Sequence, residues 1–168
     1  MSCSIPDQRL ATWIEHDTAR DFLRQLRQLV GSDGGLLIGV DLHKSRERLE
    51  AAYNDDAGVT ARFNRNVLRH INQRADADFD PDAFEHRAFY DEERQRIEMH
   101  LVSKRAQTIT CAGAQIEFAA GESLHTENSY KYSVDSFTAL ANDAGFKLVS
   151  SWLDEERLFS VHYLAART

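Results

Sequence analysis

The chain has 168 residues, 42% of them hydrophobic and 28% charged, with a formal net charge of -7. That length supports one domain, or a domain with a sub-domain, around a real core. The composition disfavours several partners. No apolar run approaches the roughly 20 residues of a membrane span, and MSCSIPDQRLATW lacks the apolar stretch of a secretory signal, so the expected compartment is the cytoplasm. The negative charge and the lack of a segment interleaving Lys or Arg with aromatics argue against nucleic acid. Cys3 and Cys111 are too few for a disulfide framework or a cysteine-built zinc site.

Residues 17 to 30 place Phe22, Leu23, Leu26, Leu29 and Val30 at helical spacing, with Asp17 suited to the N-cap and Gly31 just past the end. After the turn GSDGG, the run GLLIGVDL has strand length and reads as a strand buried on both faces. Gly31, Gly34 and Gly35 do not make a phosphate loop, because such a loop follows a strand and opens a helix, and here the order is reversed. Residues 45 to 74 read as helical, broken near AYNDDAGVT, with Leu49, Tyr53, Phe63, Val67, Leu68 and Ile71 on the buried face.

From Ala83 the apolar period changes to two. AFEHRAFY, RIEMHLVSK, QTITC, QIEFAA and ESLHTENSYKYS read as strands of an antiparallel, mostly meander-like sheet. VDSFTALANDAGF reads as a helix stopped by Gly145, with Phe137, Leu140 and Ala141 on one side. KLVSSW and LFSVHYLAA, joined by LDEER, read as a β-hairpin. The fold class is α/β. With the insertion removed, what remains resembles the C-terminal half of a class I, Rossmann-like methyltransferase sheet, whose last strand runs antiparallel to its neighbours, a likeness of fold that by itself implies no function. The expected division assigns 1–44 and 133–168 to that remnant and 45–132 to an inserted α+β substrate-recognition sub-domain.

AAYNDDAGVTARFNRNVL, ADFDPDAFEHRAFY, RIEMHLVSK and AAGESLHTENSYKYS, in this order, resemble the histidine-specific N-methyltransferases that depend on S-adenosylmethionine, the family that supplies ergothioneine biosynthesis. The resemblance runs from about Asp17 to Ala166. It implies methyl transfer to the α-amino group of a histidine-like amino acid. It also implies that Tyr53 helps hold the substrate carboxylate, that Thr60 lies in the same pocket wall, that Met99 packs on the substrate ring, and that Glu127 and Ser129 hydrogen-bond the imidazole.

Residue chemistry is compatible with those roles. On a strand, His125, Glu127 and Ser129 share one face and Thr126 and Asn128 the other. A carboxylate and a hydroxyl two residues apart can each meet one nitrogen of an imidazole, whose neutral ring has one donor and one acceptor. An indole has no ring acceptor, so the pair suits histidine better than tryptophan. The same residues also fit ordinary roles: Glu127 and Ser129 as the solvent side of a strand, Tyr53 and Met99 as core. His100 and His125 could ligate a metal with Glu98 or Glu127, but no third ligand stands at a recognised spacing, so no metal is expected. Asp55, Asp56 and Asp91 to Glu93 read as solvated loop charges.

The resemblance also implies a Gly-rich turn and a ribose-holding acidic residue on strands preceding Asp17, and a G-S-T-I-G-N-like motif where this chain has RLATWI. The expectation is therefore an N-terminally truncated chain, inactive alone, with no assigned cofactor residues. The alternatives are a non-catalytic imidazole or amino-acid binding module, and an interaction protein. The unpaired edge of GLLIGVDL is expected to promote self-association or pairing with another chain.

Overall fold

The computed structural model describes residues 16–167. Cys3, RLATWI and the side chain of Asp17 lie outside them. The α/β class holds, and the described residues divide into two compact units. One comprises Arg46–Asp91 and Ile97–Asn128; the other runs through Ser45 and resumes over Glu92–Arg96 and from Ser129 onward.

The second of these units is built on a three-stranded sheet. Its strands are β1 (Gly35–Asp41), β7 (Phe146–Leu153) and β8 (Phe159–Ala166), in the order β1-β8-β7. The last strand runs antiparallel to both neighbours, with Leu37 opposite Tyr163, Val40 opposite Ser160 and Trp152 opposite Val161. Helices α1 (His16–Val30) and α4 (Val134–Asp143) cover one face. Leu23 of α1 and Phe137 and Ala141 of α4 pack with Val40, Phe146 and Leu164. Ser133 opens α4 with a reciprocal cap on Ser136, and Gly145, at φ 88°, closes it in the left-handed region that costs glycine little.

Two expectations change here. β1 is covered on one face, and its period-two alternation leaves Leu37 66% exposed. Phe159 and Tyr163 flank it on that open face, their rings lying over Gly39 and Gly35: a Cβ at either glycine would come 2.6 or 2.7 Å from the ring above it. On α1, Leu23, Leu26 and Val30 face the sheet, while Phe22 and Leu29 are exposed. A helix in contact on one side buries one stripe of its apolar residues and not all of them.

After Leu42 the chain leaves this unit, and it is clamped again at Tyr132. The two residues form an isolated parallel bridge; Tyr132 N–H donates to Asp41 at 3.1 Å, and His43 N–H to Tyr132 at 3.1 Å.

The other unit contains α2 (Arg46–Tyr53), α3 (Val59–Ala75), β2 (Phe84–Asp91), β4 (Gln107–Cys111), β5 (Ala114–Phe118) and all but the first residue of β3 (Arg96–Ser103) and the last two of β6 (Ser123–Tyr130). The expected single meander is two sheets: β2-β3-β6, and a separate β4-β5 hairpin. After the hairpin the chain returns to where it left. Ser103 N–H donates to Glu122 and Gly121 N–H to Ser103, both at 2.8 Å, and this brings β6 beside β3.

Leu68, Phe79, Phe84, Leu101, Ile109 and Phe118 form one core; Leu49, Ala88, Tyr90, Ile97 and Met99 form another, with Tyr53 packed against it. Phe63, expected inside, is 65% exposed. Its neighbour Asn64 stands four residues before Leu68 and so shares its inward face. There Asn64 Nδ2 lies 2.9 Å from His86 Nδ1 and donates to His100 O at 3.1 Å.

Candidate functional site

Alternation along β3 and β6 sorts the candidate residues. Ile97, Met99 and Leu101 of β3 are buried in the cores just described. Thr126 and Asn128 of β6 are buried too, and the Thr126 hydroxyl donates to Met99 O at 2.9 Å. Glu98 and His100 of β3, with His125 and Glu127 of β6, alternate onto the opposite side.

On that side the rings of Phe89, His100 and His125 form a stack. Phe89 and His100 lie 5.2 Å apart at 19°, and His100 and His125 lie 4.5 Å apart at 10°. A carboxylate only accepts, so His100 Nε2 donates to Glu98 at 3.0 Å, and Nδ1 accepts from the Ser123 hydroxyl at 2.7 Å. Burial pushes His100 below the ordinary histidine range, and the Glu98 hydrogen bond that opposes this does not overcome it. The ring is therefore held neutral at pH 7.

Glu98, His100 and His125 bring one ligand atom each within 4.8 Å of one another. Glu98 is thus the one of the two glutamates considered from sequence that the structure brings to both histidines. Ring-nitrogen lone pairs lie in the ring plane, however, and two nearly parallel stacked rings do not aim them at one point. As arranged, the trio is a hydrogen-bonded stack, not a coordination shell.

Of the five residues implied by the resemblance, the structure brings Tyr53 and Met99 together. Tyr53 ends α2, half-buried, against the core that holds Met99, and Met99 is only 2% exposed. The Tyr53 carbonyl lies 2.8 Å from His86 Nε2. Thr60 sits in the first turn of α3, where its N–H donates to Asp55 Oδ1 at 2.8 Å and Val59 N–H donates to Asp55 Oδ2 at 2.8 Å. Those two bonds cap the helix, so the exposed loop charge expected at Asp55 also has a structural role. The Thr60 and Val59 N–H groups hold its carboxyl down at about 2. Glu127 faces away from Met99 across the sheet.

Ser129, near the end of β6, meets a buried cation. The Lys131 side chain is fully buried; its Nζ lies 2.8 Å from the Ser129 hydroxyl and 2.8 Å from Asp41 Oδ2. Lys44 contacts the other Asp41 oxygen. Burial alone would raise the Asp41 carboxyl, but hydrogen bonds and charge from Lys131 and Lys44 outweigh it and leave the group below its usual range. Lys131 and Asp41 were not singled out by sequence. A lysine near a strand end reads as solvent-facing, and only the fold shows Asp41 beneath it.

Two features of the described residues could hold a nucleoside cofactor, and neither fits. The Gly31–Gly35 turn precedes β1 instead of following a strand, and it is closed: a Cβ at Gly34 would meet Val30 O at 2.0 Å. Asp41, the acidic residue at a strand end, is taken by two lysines.

A sheet whose last strand lies between and antiparallel to its neighbours, with an α+β excursion from the strand at its edge, is the closing part of a class I methyltransferase sheet. Residues 13–166 match the model of the histidine-specific, SAM-dependent methyltransferases, and the chain belongs to that family. It is 43% identical over 136 residues to histidine N-alpha-methyltransferase of Mycolicibacterium smegmatis, covering 80% of this chain and 42% of that protein. It is 39% identical over 146 residues to the Mycobacterium tuberculosis protein of the same name, covering 86% of this chain and 46% of that one. The chain thus spans less than half the length of these relatives. Among solved structures, the CcbJ methyltransferase from Streptomyces caelestis aligns with a TM-score of 0.46 at 15% identity, covering 99% of this chain and 61% of that one.

Proposed function

We propose that this chain serves methyl transfer from S-adenosylmethionine to the α-amino group of a histidine-like amino acid, and that its own contribution is recognition of the amino acid. The observation that supports this best is the T-E-N-S segment of β6. Thr126 and Asn128 anchor the strand by their burial, so Glu127 and Ser129 share the opposite side. A carboxylate acceptor and a hydroxyl so spaced suit the two nitrogens of an imidazole. The other assignments the resemblance implies, Tyr53 and Thr60 at the substrate carboxylate and Met99 on the ring, are not part of this reading, because Tyr53 packs with the buried Met99 on the side of the sheet away from Glu127.

The test is calorimetric titration of the chain with L-histidine and, separately, with S-adenosylhomocysteine, with the histidine titration repeated on Glu127→Ala. The expected result is histidine binding that weakens at least tenfold in the variant, the scale of one charge-assisted hydrogen bond of about 1.5–3 kcal/mol. Histidine binding that ignores Glu127, or none at all, would overturn the proposal. A second reading, an interaction protein, draws on the open face of the β1-β8-β7 sheet, where Leu37, Phe159 and Tyr163 are exposed together.

A further inference from the structure

The helix-covered side of the β1-β8-β7 sheet carries a short line of polar side chains within its apolar core. Ser160 and His162 of β8 are 1% and 0% exposed, and Ser151 of β7 stands directly opposite His162. Ile38 flanks the histidine from β1, and Phe137 of α4 lies against its ring, centroids 4.9 Å apart at 34°. His162 Nε2 lies 2.8 Å from Ser160 Oγ, which also reaches Val40 O at 3.4 Å. His162 Nδ1 and Ser151 Oγ are both buried, and neither has a hydrogen-bond partner among the described residues. A carbonyl only accepts, so Ser160 gives its proton to Val40 and accepts the Nε2 proton of the ring. The other tautomer would leave a buried N–H unpaired, a rarer defect than an unpaired acceptor.

We infer that His162 is an acid-sensitive catch: α4 stays packed on the β1-β8-β7 sheet while the ring is neutral, and acidification releases it. The neutral ring fits because its one N–H has an acceptor in Ser160. An imidazolium would add a second N–H at Nδ1, where no acceptor stands, and would be a buried cation without a counter-charge. Burial already pushes the ring below the ordinary histidine range. Taking up the second proton therefore requires the ring to reach water, and Phe137 of α4 covers it. The release extends beyond the helix. Phe137 also packs edge-on against Tyr132 at 5.8 Å and 76°, and the Tyr132 backbone is what clamps Asp41 and His43.

The elements packed around His162 supply no charge that would offset its protonation. β1 faces this core with Leu36, Ile38 and Val40, and α4 with Phe137, Leu140, Ala141 and Ala144. The acidic residues of α4, Asp135 and Asp143, are exposed, as is Lys147 of β7. Burial and the neighbouring Tyr130 push the Tyr132 phenol up to about 12, so it is neutral throughout. α1 brings two cations to the margin of the core: Arg20, half-buried, and Arg27, which donates to the carbonyls of Gly145, Gly31 and Arg167. Both oppose a further positive charge. The inference does not depend on the amino-acid reading proposed above.

The experiment is amide hydrogen exchange of the full chain at pH values from 5.0 to 7.5, for the wild type and His162→Gln. The amides of α4, such as Phe137 and Ala141, are followed with their rates corrected for intrinsic exchange. A ring neutral in the fold and of ordinary pKa, about 6.5, once released leaves the packing at full strength above that pH and weakens it below. The opening equilibrium rises about 30-fold from pH 7.5 to pH 5.0. Glutamine keeps a donor for Ser160 and does not titrate, so His162→Gln is expected to flatten that rise several-fold, leaving the share of His43, which burial also pushes down. A merely structural residue would on substitution shift protection equally at every pH. Imidazole nitrogen resonances of the wild type cover the case in which the variant does not fold: His162 is expected to remain the neutral Nε2–H tautomer for as long as α4 is protected. Wild-type protection of α4 that ignores pH, a variant with the full wild-type rise, or a His162 ring that charges while α4 stays protected overturns the inference.

Discussion

Phe84→Ala is the sharpest probe of the inserted unit's core. Phe84 is fully buried, packed edge-on against Phe118 at 5.5 Å and 89° and tilted against Phe79 at 6.0 Å. Truncating a buried phenylalanine costs about 3–5 kcal/mol, the transfer term of the lost ring plus the cavity it leaves. Each well-placed aromatic pair adds about 0.5–1.5 kcal/mol beyond area burial. Phe84→Leu keeps most of the apolar volume and loses the ring pairs, so its cost is expected to fall well below that of the alanine variant. The Phe84→Leu, Phe118→Leu double-mutant cycle is expected to return a coupling of about 0.5–1.5 kcal/mol. Urea unfolding followed by far-UV circular dichroism measures all five proteins, wild type included. An alanine variant within 1 kcal/mol of wild type, or additive leucine variants, would refute the account of these rings as one closed cluster.

Two further predictions concern the surface. Asp55 titrates at about 2 in the fold, below the roughly 3.9 of an unfolded aspartate, so its cap on α3 is fully present above pH 4 and is lost as pH falls through 2. Asp55→Ala should be less stable at neutral pH and should flatten the acid-unfolding curve in that window; an unchanged curve would remove the cap from the account. Leu37→Lys combined with Trp152→Lys, on the open face of the β1-β8-β7 sheet, should reduce self-association seen by light scattering on a sizing column. A wild-type chain that elutes as a monomer at the highest concentrations would end that expectation.

The order of elements was legible in the residues because apolar period and turn chemistry are local. The Gly31 and Gly145 stops, the break near AYNDDAGVT and the terminal hairpin all depend on a few neighbouring positions. What was not legible depends on which face meets a neighbour. GLLIGVDL is apolar at nearly every position, so its composition cannot say that only Leu36, Ile38 and Val40 face the helices. Phe63 outranks Asn64 on any hydropathy scale, yet Asn64 takes the inward place because it is in phase with Leu68 and finds polar partners at His86 and His100. The candidate site divides the same way. The side that Glu127 takes follows from strand alternation, and the sequence already groups Glu98 with His100 and His125. The Asp55 cap is local and exposed but reads as a plain loop charge, whereas Lys131 over Asp41 joins residues far apart in sequence and hidden by burial.

The clamp between Leu42 and Tyr132 bears on how such a chain can change over evolutionary time. The long excursion starts and finishes at neighbouring points of backbone, so the three-stranded sheet treats it as a loop whose length it hardly senses: each doubling of a loop costs only about 0.6 kcal/mol in closure entropy. Residues of the excursion outside the sheet's own compact unit can be lengthened, trimmed or exchanged without shifting the register of β1 on β8. Sheet architecture and the sequence of the excursion can therefore be inherited separately, the excursion being replaced while the strands it leaves and rejoins are kept.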